Sequence, residues 1–163
     1  MDQTKLLRLL KNWHIRIRAT HKGHYKDAAA LMVRQRILGI SVVLLTSFVG
    51  TGLFVSLTTS ALNENYVLIG GLISATASIL AALQTYLNYP ERQTTHLIAA
   101  TQLSSLKKRI EEKLATEEDV HELKVFIREI RVEWNTITSG APLMSEKNFN
   151  KNAAVTDEYF QVD

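Results

Sequence analysis

Two long apolar segments in the middle of the chain constrain its fold more than any other feature. Residues 37–57 and 66–87 contain no Asp, Glu, Lys, Arg or His. At about 1.5 Å of rise per residue, each would form a helix a little over 30 Å long, and the hydrocarbon core of a bilayer is about 30 Å thick. The sequence therefore predicts two membrane-spanning helices, joined by a short polar hairpin at residues 58–65.

The alternative for such segments is a pair of central helices in a soluble bundle, which can also be apolar over their whole length. Soluble helices usually keep some polar residues for the surface, and a chain of 163 residues has too little additional sequence to bury two helices of this length. We therefore favour the membrane interpretation and predict an all-α membrane protein built on a two-transmembrane helical hairpin.

Charge is distributed unevenly along the chain and indicates an orientation. Residues 1–36 carry nine Lys and Arg against two Asp, residues 37–90 carry only Glu64, and residues 91–163 carry ten basic and thirteen acidic residues. The basic residues closest to the spans precede the first and follow the second, while the hairpin has none. Because cytoplasmic loops are enriched in Lys and Arg, both termini are predicted to be cytoplasmic.

The sequence also excludes several classes of site. The chain has no cysteine, which excludes disulfides and thiolate metal ligands. There is no nucleophile with a paired base in the spans, no carboxylate pair and no glycine-rich phosphate loop. The N-terminus lacks the short apolar core and cleavage site of a signal peptide. We therefore expect a protein that is not an enzyme, that has no cofactor and whose N-terminus is not cleaved.

The second span has two different sides when its residues are placed on a helix. One side carries large apolar residues, and a face of about 140° carries small ones. The small residues are Gly70, Gly71, Ser74, Ala75, Ser78, Ala81, Ala82 and Thr85. The first span has a similar but weaker stripe at Gly39, Thr46 and Gly50. Small residues let helix backbones approach closely, and close packing is what associates helices in lipid.

Two interpretations of these small faces remain open from the sequence. They could close the hairpin within one chain, or hairpins from several chains could share them to form a homo-oligomer with a narrow, hydroxyl-lined path. We assign pore lining or helix packing to Gly70, Gly71, Ser74, Ser78, Ala82 and Thr85. The absence of charged residues from both spans disfavours a proton relay or a voltage sensor of the usual kind.

The N-terminal region is predicted to form a basic amphipathic helix. Leu6, Leu10, Trp13 and Ile17 recur at helical spacing, with Lys and Arg elsewhere on the wheel. Such a helix lies against anionic headgroups or against the chain's own C-terminal helices. A further hypothesis makes the region a cytoplasmic site for phosphates, formed by Arg16, Arg18, His21, Lys22, His24 and Lys26. No carboxylate at ligand spacing joins the histidines, so a metal site is not expected.

The region after the spans is predicted to be helical and cytoplasmic. Pro90 should bend the chain where it leaves the bilayer, and a further helix should begin with Thr116 as its N-cap. Apolar residues then alternate by three and four as in a coiled-coil seam. This helix either folds back on the preceding one as an antiparallel pair or pairs between chains. The seam residues are Val120, Leu123, Ile127, Ile130, Trp134 and Ile137.

Four regions follow from these patterns. They are a basic N-terminal helical region at residues 1–36, the transmembrane hairpin at 37–88, a helical or coiled-coil region at 89–138, and a loop with a flexible tail at 139–163. The predicted architecture is thus a hairpin with an N-terminal amphipathic helix and C-terminal antiparallel helices in the cytoplasm. We expect the assembly to be oligomeric.

Three segments of the chain resemble one known family. Residues 34–54, 79–111 and 132–143 are similar to the SLATT domains, two-transmembrane effectors associated with SMODS nucleotidyltransferases and SLOG ligand-sensing domains in bacterial conflict systems. The resemblance implies an oligomeric channel or pore in the bacterial inner membrane that acts in anti-phage defence. It also implies gating by a nucleotide or oligonucleotide from a partner nucleotidyltransferase. The alternative function is a non-conducting, membrane-anchored scaffold that recruits a cytoplasmic defence enzyme.

Overall fold

The computed structural model describes residues 3–59, 64–116 and 119–151. These ranges contain four long α-helices, a short helical segment at residues 146–151 and no β-strand, which confirms the all-α class and the two long apolar helices. The helices are α1 (Gln3–Thr59), α2 (Glu64–Leu87), α3 (Tyr89–Ala115) and α4 (Val120–Gly140). The 57 residues of α1 join the predicted N-terminal helix and the first span without a break.

The chain divides into two compact units. The three-helix unit contains residues 1–30 and 92–163, and the hairpin unit contains residues 31–91. The regions before and after the hairpin, predicted as separate regions, therefore fold together. The boundaries of the hairpin unit lie six residues before and three residues after those predicted for the hairpin, at 37 and 88.

The core of the three-helix unit consists of leucine and isoleucine side chains from all three helices. Its buried members are Leu6, Leu10 and Ile17 of α1, Leu103, Leu106 and Ile110 of α3, and Leu123, Ile130 and Ile137 of α4. Spacings of three, four and seven residues keep each set on one side of its helix. Burial of each such side chain contributes about 1.5–3 kcal/mol. The apolar stripe of α1 therefore packs against the chain's own C-terminal helices and is not available to lipid headgroups.

The predicted seam of α4 lies in the same core, within one chain. Val120, Ile127 and Trp134 are partly buried against it. The indole ring of Trp134 meets that of Trp13 edge to face, with 5.8 Å between the ring centroids. Because the chain has two tryptophans, its tryptophan fluorescence reports on the three-helix unit.

The start of α4 differs from the prediction. Its N-cap is Asp119, whose carboxylate accepts hydrogen bonds from the backbone N–H groups of Val120 and His121. Thr116, the predicted cap, instead donates its hydroxyl to the carbonyl of Glu112 at the end of α3. The prediction was wrong because Asp119 satisfies the unpaired N–H groups and also places a negative charge at the positive end of the helix dipole.

The break between α2 and α3 lies at Asn88 rather than at Pro90. Asn88 has a φ of 42°, in the left-handed region that asparagine tolerates better than most residues. Its side-chain amide donates a hydrogen bond to the carboxylate of Glu91. Pro90 lies in the first turn of α3, where its missing N–H costs no helical hydrogen bond.

In the hairpin unit, α1 and α2 pack through positions that alternate by three and four residues. These buried or half-buried positions include Leu38, Val42, Leu45 and Val49 on α1, and Ile73, Ala77, Leu80, Gln84 and Leu87 on α2. Gly39 also faces this contact, because a Cβ built there would lie 3.8 Å from the side-chain nitrogen of Gln84. Since α1 ends at Thr59 and α2 begins at Glu64, the turn of the predicted hairpin falls on residues 60–63, outside the described residues.

Both helices of the hairpin are long and apolar enough to cross a membrane. Residues 3–52 and 65–115 each contain an apolar window of 18 residues, and the mean hydropathies of these two windows are 1.7 and 2.0. Only 11% of the first window and 6% of the second is buried. The central helix of a soluble bundle would be mostly buried, so this exposure favours an apolar solvent around the hairpin.

Candidate functional site

The small face of α2 is not the face that closes the hairpin. Gly71, Ser74, Ser78, Ala82 and Thr85 are exposed in the single chain, as are the neighbouring Ala75 and Ala81, while Gly70 is half-buried. A Cβ built at Gly70 or Gly71 would meet nothing within 4 Å. The contact with α1 runs instead through the positions from Ile73 to Leu87 described above. Among the described residues, the small face is therefore largely exposed on the surface of one chain.

The hydroxyl groups on this face are oriented by their own helix. The hydroxyl of Ser78 donates to the carbonyl of Ser74 at 3.0 Å, and that of Thr85 donates to the carbonyl of Ala81 at 3.2 Å. A serine or threonine hydroxyl has one donor and two acceptor lone pairs. Because the donor is used inside the helix, the oxygen presents acceptors outward. Such oxygens can bind cations or water, but they offer no hydrogen-bond donor to an anion.

The weaker stripe predicted on α1 is divided between two environments. Gly39 is half-buried and faces Gln84, whereas Thr46 and Gly50 are exposed. The hydroxyl of Thr46 donates to the carbonyl of Val42 at 2.9 Å. The three residues therefore do not act as one stripe in the chain.

Gln84 is a polar residue of the second span that the sequence analysis did not select. Its side chain borders a cleft between α1 and α2, which is also lined by Gln35, Arg36 and Gly39. The remaining lining residues are Met32, Ile40, Val43 and Leu44. A lone glutamine among large apolar residues was the available signal, because an amide in hydrocarbon needs a polar partner.

The six residues proposed as a phosphate site do not converge on one point. Arg18, Lys22 and Lys26 are exposed and lie four residues apart, along one side of α1. The guanidinium of Arg16 instead lies over the Trp134 ring, 5.5 Å from its centroid. His24 is buried. The structure thus places three of the six residues on a common exposed face, and Arg16 and His24 elsewhere.

His21 lies at the edge of that face. It is half-buried, and its ring contacts Tyr25 edge to face with 4.9 Å between centroids. Its Nδ1 is buried and has no hydrogen-bond partner among the described residues. Burial lowers the pKa of His21, and the nearby ammonium groups of Lys107 and Lys22 lower it further. His21 is therefore held neutral beside two cations.

His24 forms a buried pair with His96 of α3. The two Nδ1 atoms are 3.0 Å apart, so one ring must donate its N–H to the unprotonated nitrogen of the other. Burial is the main cause that lowers the pKa of both rings, although the carboxylate of Asp27 acts in the opposite direction on both. Arg92 lowers the pKa of His96 further. The pair is stable when both rings are neutral.

Asp27 of α1 binds the segment that follows α4, through Ser145 and Asn148. Its buried carboxylate accepts hydrogen bonds from the backbone N–H of Ser145 at 2.9 Å, from the Ser145 hydroxyl at 2.6 Å and from the Asn148 amide at 2.8 Å. Burial alone would raise the pKa of Asp27, but these hydrogen bonds outweigh it and lower the pKa below its ordinary value. Residues 146–151 are helical, where a loop had been predicted, because this carboxylate anchors the start of the helical segment.

The sequence gives only a faint sign of this anchor. Asp27 is the one acidic residue between positions 3 and 36, a stretch with nine basic residues. An isolated acid in such a region needs an explanation, yet nothing local indicates that its partners lie more than a hundred positions later.

A comparison with protein families identifies the chain. A family model described as SMODS and SLOG-associating 2TM effector domain family 4 matches residues 6–154. No curated protein and no solved structure matches the chain. The matched range covers both units, including the two exposed apolar helices and the Asp27 anchor. The chain therefore belongs to the SMODS and SLOG-associating two-transmembrane effector family, and it is a membrane effector linked to defence.

Proposed function

We propose that the protein is an oligomeric channel or pore of the bacterial inner membrane, acting in anti-phage defence with both termini in the cytoplasm. A nucleotide or oligonucleotide made by a partner nucleotidyltransferase would control it. The protein would not itself be an enzyme. The observation that carries the proposal is the exposed small face of α2, which presents outward-facing hydroxyl oxygens within a span that has no charged residue.

Exposure of the small face supports assembly between chains. Helices in lipid associate through close packing of small residues. The hydrophobic effect does not drive this association, because lipid tails are as apolar as the helix surfaces. Most of the residues that would permit this packing are exposed in the described part of the chain, since the hairpin closes through larger side chains such as Ile73 and Leu80. Neighbouring hairpins are the natural partners for a face of this kind.

The chemistry of the face supports a path for ions or small polar solutes. Ser78 and Thr85 lie seven residues apart on the same side of α2, and each directs oxygen lone pairs outward. A ring of such oxygens from several chains replaces part of the hydration shell of a cation. The second span contains no charged side chain, so no charge of the protein has to be neutralised inside the membrane.

The connection between the units supports control from the cytoplasm. α1 crosses the boundary at residues 30 and 31 as uninterrupted helix. Its N-terminal part, which belongs to the three-helix unit, is therefore continued by the first span within one helix. Anionic ligand binding to that part of α1 is the form of control that its charge favours.

Flux through proteoliposomes tests the proposal. Gly71→Leu and Ser78→Leu should abolish cross-linked oligomers and dye or ion flux, because a large side chain separates the packed backbones. Thr76→Leu is the matched control, since Thr76 is also exposed but lies on the large-residue side of α2. Oligomers and flux that survive in both Leu variants, or that are lost equally in the control, would contradict the packing proposal.

A non-conducting scaffold is the second candidate, and one observation favours it. Val125 and Val132 lie seven residues apart on the outer side of α4, with 45% and 59% of their surfaces exposed. Exposed valines in register on one helix form a surface on which a cytoplasmic enzyme could dock. Purified protein that binds a partner enzyme through Val125 and Val132 but never leaks would establish the scaffold instead.

A further inference from the structure

One side of α1 in the three-helix unit carries a row of five exposed cations. With about 100° of rotation per residue, these five cations lie within an arc of about 80°. They are Arg8, Lys11, Arg18, Lys22 and Lys26. Two of them, Arg8 and Lys11, extend the row beyond the residues selected from the sequence.

Within the described part of the chain, these five cations have no neutralising partner. None of them forms an ion pair or a hydrogen bond with any residue that the structure describes. Asp27 is the one acid between positions 3 and 30, and its carboxylate is buried and bound to Ser145 and Asn148.

Two cations of α3 do form ion pairs. Lys107 lies 3.7 Å from the carboxylate of Glu111, and Arg109 pairs with Glu129 and Glu133 of α4. The same unit thus pairs part of its positive charge and leaves the row on α1 unpaired. Unpaired like charges on one helix repel each other, so the row stabilises the fold less than a mixed surface would and suits an external anion.

The shape of the row selects a linear ligand. From Arg8 to Lys26 the helix rises about 27 Å, which is far longer than one phosphate group or one mononucleotide. A ligand that engages the whole row must carry negative charge along its length. A nucleic acid strand meets this requirement, with one charge per about 3.4 Å in duplex form.

Two other polyanionic partners fit the face less well. A membrane surface binds amphipathic helices whose apolar stripe enters the headgroup region, but Leu6, Leu10 and Ile17 are buried in the protein core. A protein partner normally adds an apolar centre to its contact. No large apolar residue from position 3 to position 24 has an exposed side chain. The face is therefore suited to a ligand that is bound mainly through its charge.

The edge of the row offers a place for a base. Tyr25 is 42% exposed and lies beside Lys22 and Lys26 on the helix. Nucleobases stack on exposed aromatic rings, and this is how sequence-tolerant single-strand binding is usually completed. His21, with its unpaired buried Nδ1, lies against the same ring.

We propose that the exposed row Arg8, Lys11, Arg18, Lys22 and Lys26 is a binding site for a single-stranded oligonucleotide, held through its phosphates with Tyr25 at the edge. This assignment rests on the proposed function, because it names the location and the class of the nucleotide ligand. It differs from the six-residue site predicted from the sequence. Arg16 and His24 are excluded because they contact Trp134 and His96.

Fluorescence anisotropy tests the site with the full chain in nanodiscs of zwitterionic lipid. The probe is a labelled oligothymidylate of about ten nucleotides, within the usual size of a single-strand site. The variant R18Q/K22Q/K26Q should bind at least about tenfold more weakly at low salt, and the slope of log K against log salt should fall by about 2, since each lost phosphate contact removes about 0.7. The matched control K124Q/R128Q/R131Q removes the same charge from exposed positions on α4 and should leave both quantities unchanged.

Several outcomes would overturn the assignment. One is an equal loss of oligonucleotide affinity in the two triple variants. Another is binding of polyglutamate as tight as that of the oligonucleotide. A third is displacement of the oligonucleotide by ATP at an equal concentration. The anisotropy assay does not depend on conduction. Failure of the binding-site proposal can therefore be distinguished from failure of the channel proposal. Oligonucleotide binding without flux contradicts the channel, whereas flux with no binding to the row contradicts this site.

Discussion

The two units of this protein satisfy their apolar residues in opposite ways. In the three-helix unit, Leu10, Ile17, Leu103, Leu106, Ile110 and Ile130 are completely buried. In the hairpin unit, only Leu31 and Ala77 are buried among residues 31–52 and 65–91. Large residues such as Phe48, Leu68 and Leu72 remain at least 62% exposed.

This difference separates a unit that completes its own fold from one that depends on its surroundings. The three-helix unit is stabilised because its apolar side chains are removed from water within a single chain. The hairpin unit leaves large apolar side chains exposed within one chain, so these surfaces need an apolar solvent such as lipid. Substitutions in the two units should therefore affect different properties.

The largest contrast is expected from the same substitution in each unit. Leu106→Ala should destabilise the three-helix unit by about 2–5 kcal/mol, because it removes a fully buried side chain and leaves a cavity. Leu72→Ala, at an exposed site of the hairpin, is the control and should change that stability by less than about 0.5 kcal/mol. Urea titration followed by tryptophan fluorescence measures both, since both tryptophans lie in the three-helix unit. Similar losses in the two variants would remove the distinction between the units.

The next effect concerns the Asp27 anchor. Asp27→Asn should cost about 1.5–3 kcal/mol, the range for hydrogen bonds to a charged group, and should release residues 145–151. Hydrogen exchange in that segment should accelerate. Glu146→Gln is the matched control, because it removes a neighbouring exposed carboxylate and should leave the exchange unchanged. Slow exchange in the Asp27 variant would show that the segment is held by other contacts.

Acid should weaken the same anchor. The folded-state pKa of Asp27 lies below its reference value of 3.8. Its stabilising contribution is therefore complete above that value and is lost as the pH falls through the folded pKa. The Asn variant should lack this part of the acid dependence.

A smaller effect is expected near neutral pH from the buried histidine pair. The pKa values of His24 and His96 are lowered from 6.5, so the unfolded chain binds more protons than the folded one as the pH falls below that value. Stability should therefore decrease below about pH 6.5, by at most about 1.4 kcal/mol per pH unit for each ring.

His24→Gln should make this pH dependence shallower. The urea midpoint measured between pH 7.5 and 5.5 reports the change, and His121→Gln, at an exposed position of α4, is the matched control. An unaltered pH slope in the His24 variant, or an equal change in the control, would contradict a special role for the buried pair.

The sequence by itself determined the features that depend on local pattern. The two spans follow from the length and polarity of residues 37–57 and 66–87, because the thickness of a bilayer requires that length. The amphipathic stripes of α1, α3 and α4 follow from helical spacing, because residues three and four apart share a side. The family resemblance also came from sequence and is confirmed.

Only the tertiary structure decided which surfaces these helices use. It showed that α2 meets α1 through positions from Ile73 to Leu87, so most of the small face is exposed among the described residues. It also paired His24 with His96 and Asp27 with Ser145, residues separated by 72 and 118 positions. It showed that the cations of the row from Arg8 to Lys26 form no ion pair with any other described residue. Contacts between distant residues depend on how the helices pack together, and helical periodicity along one segment contains no information about which neighbour a face will meet.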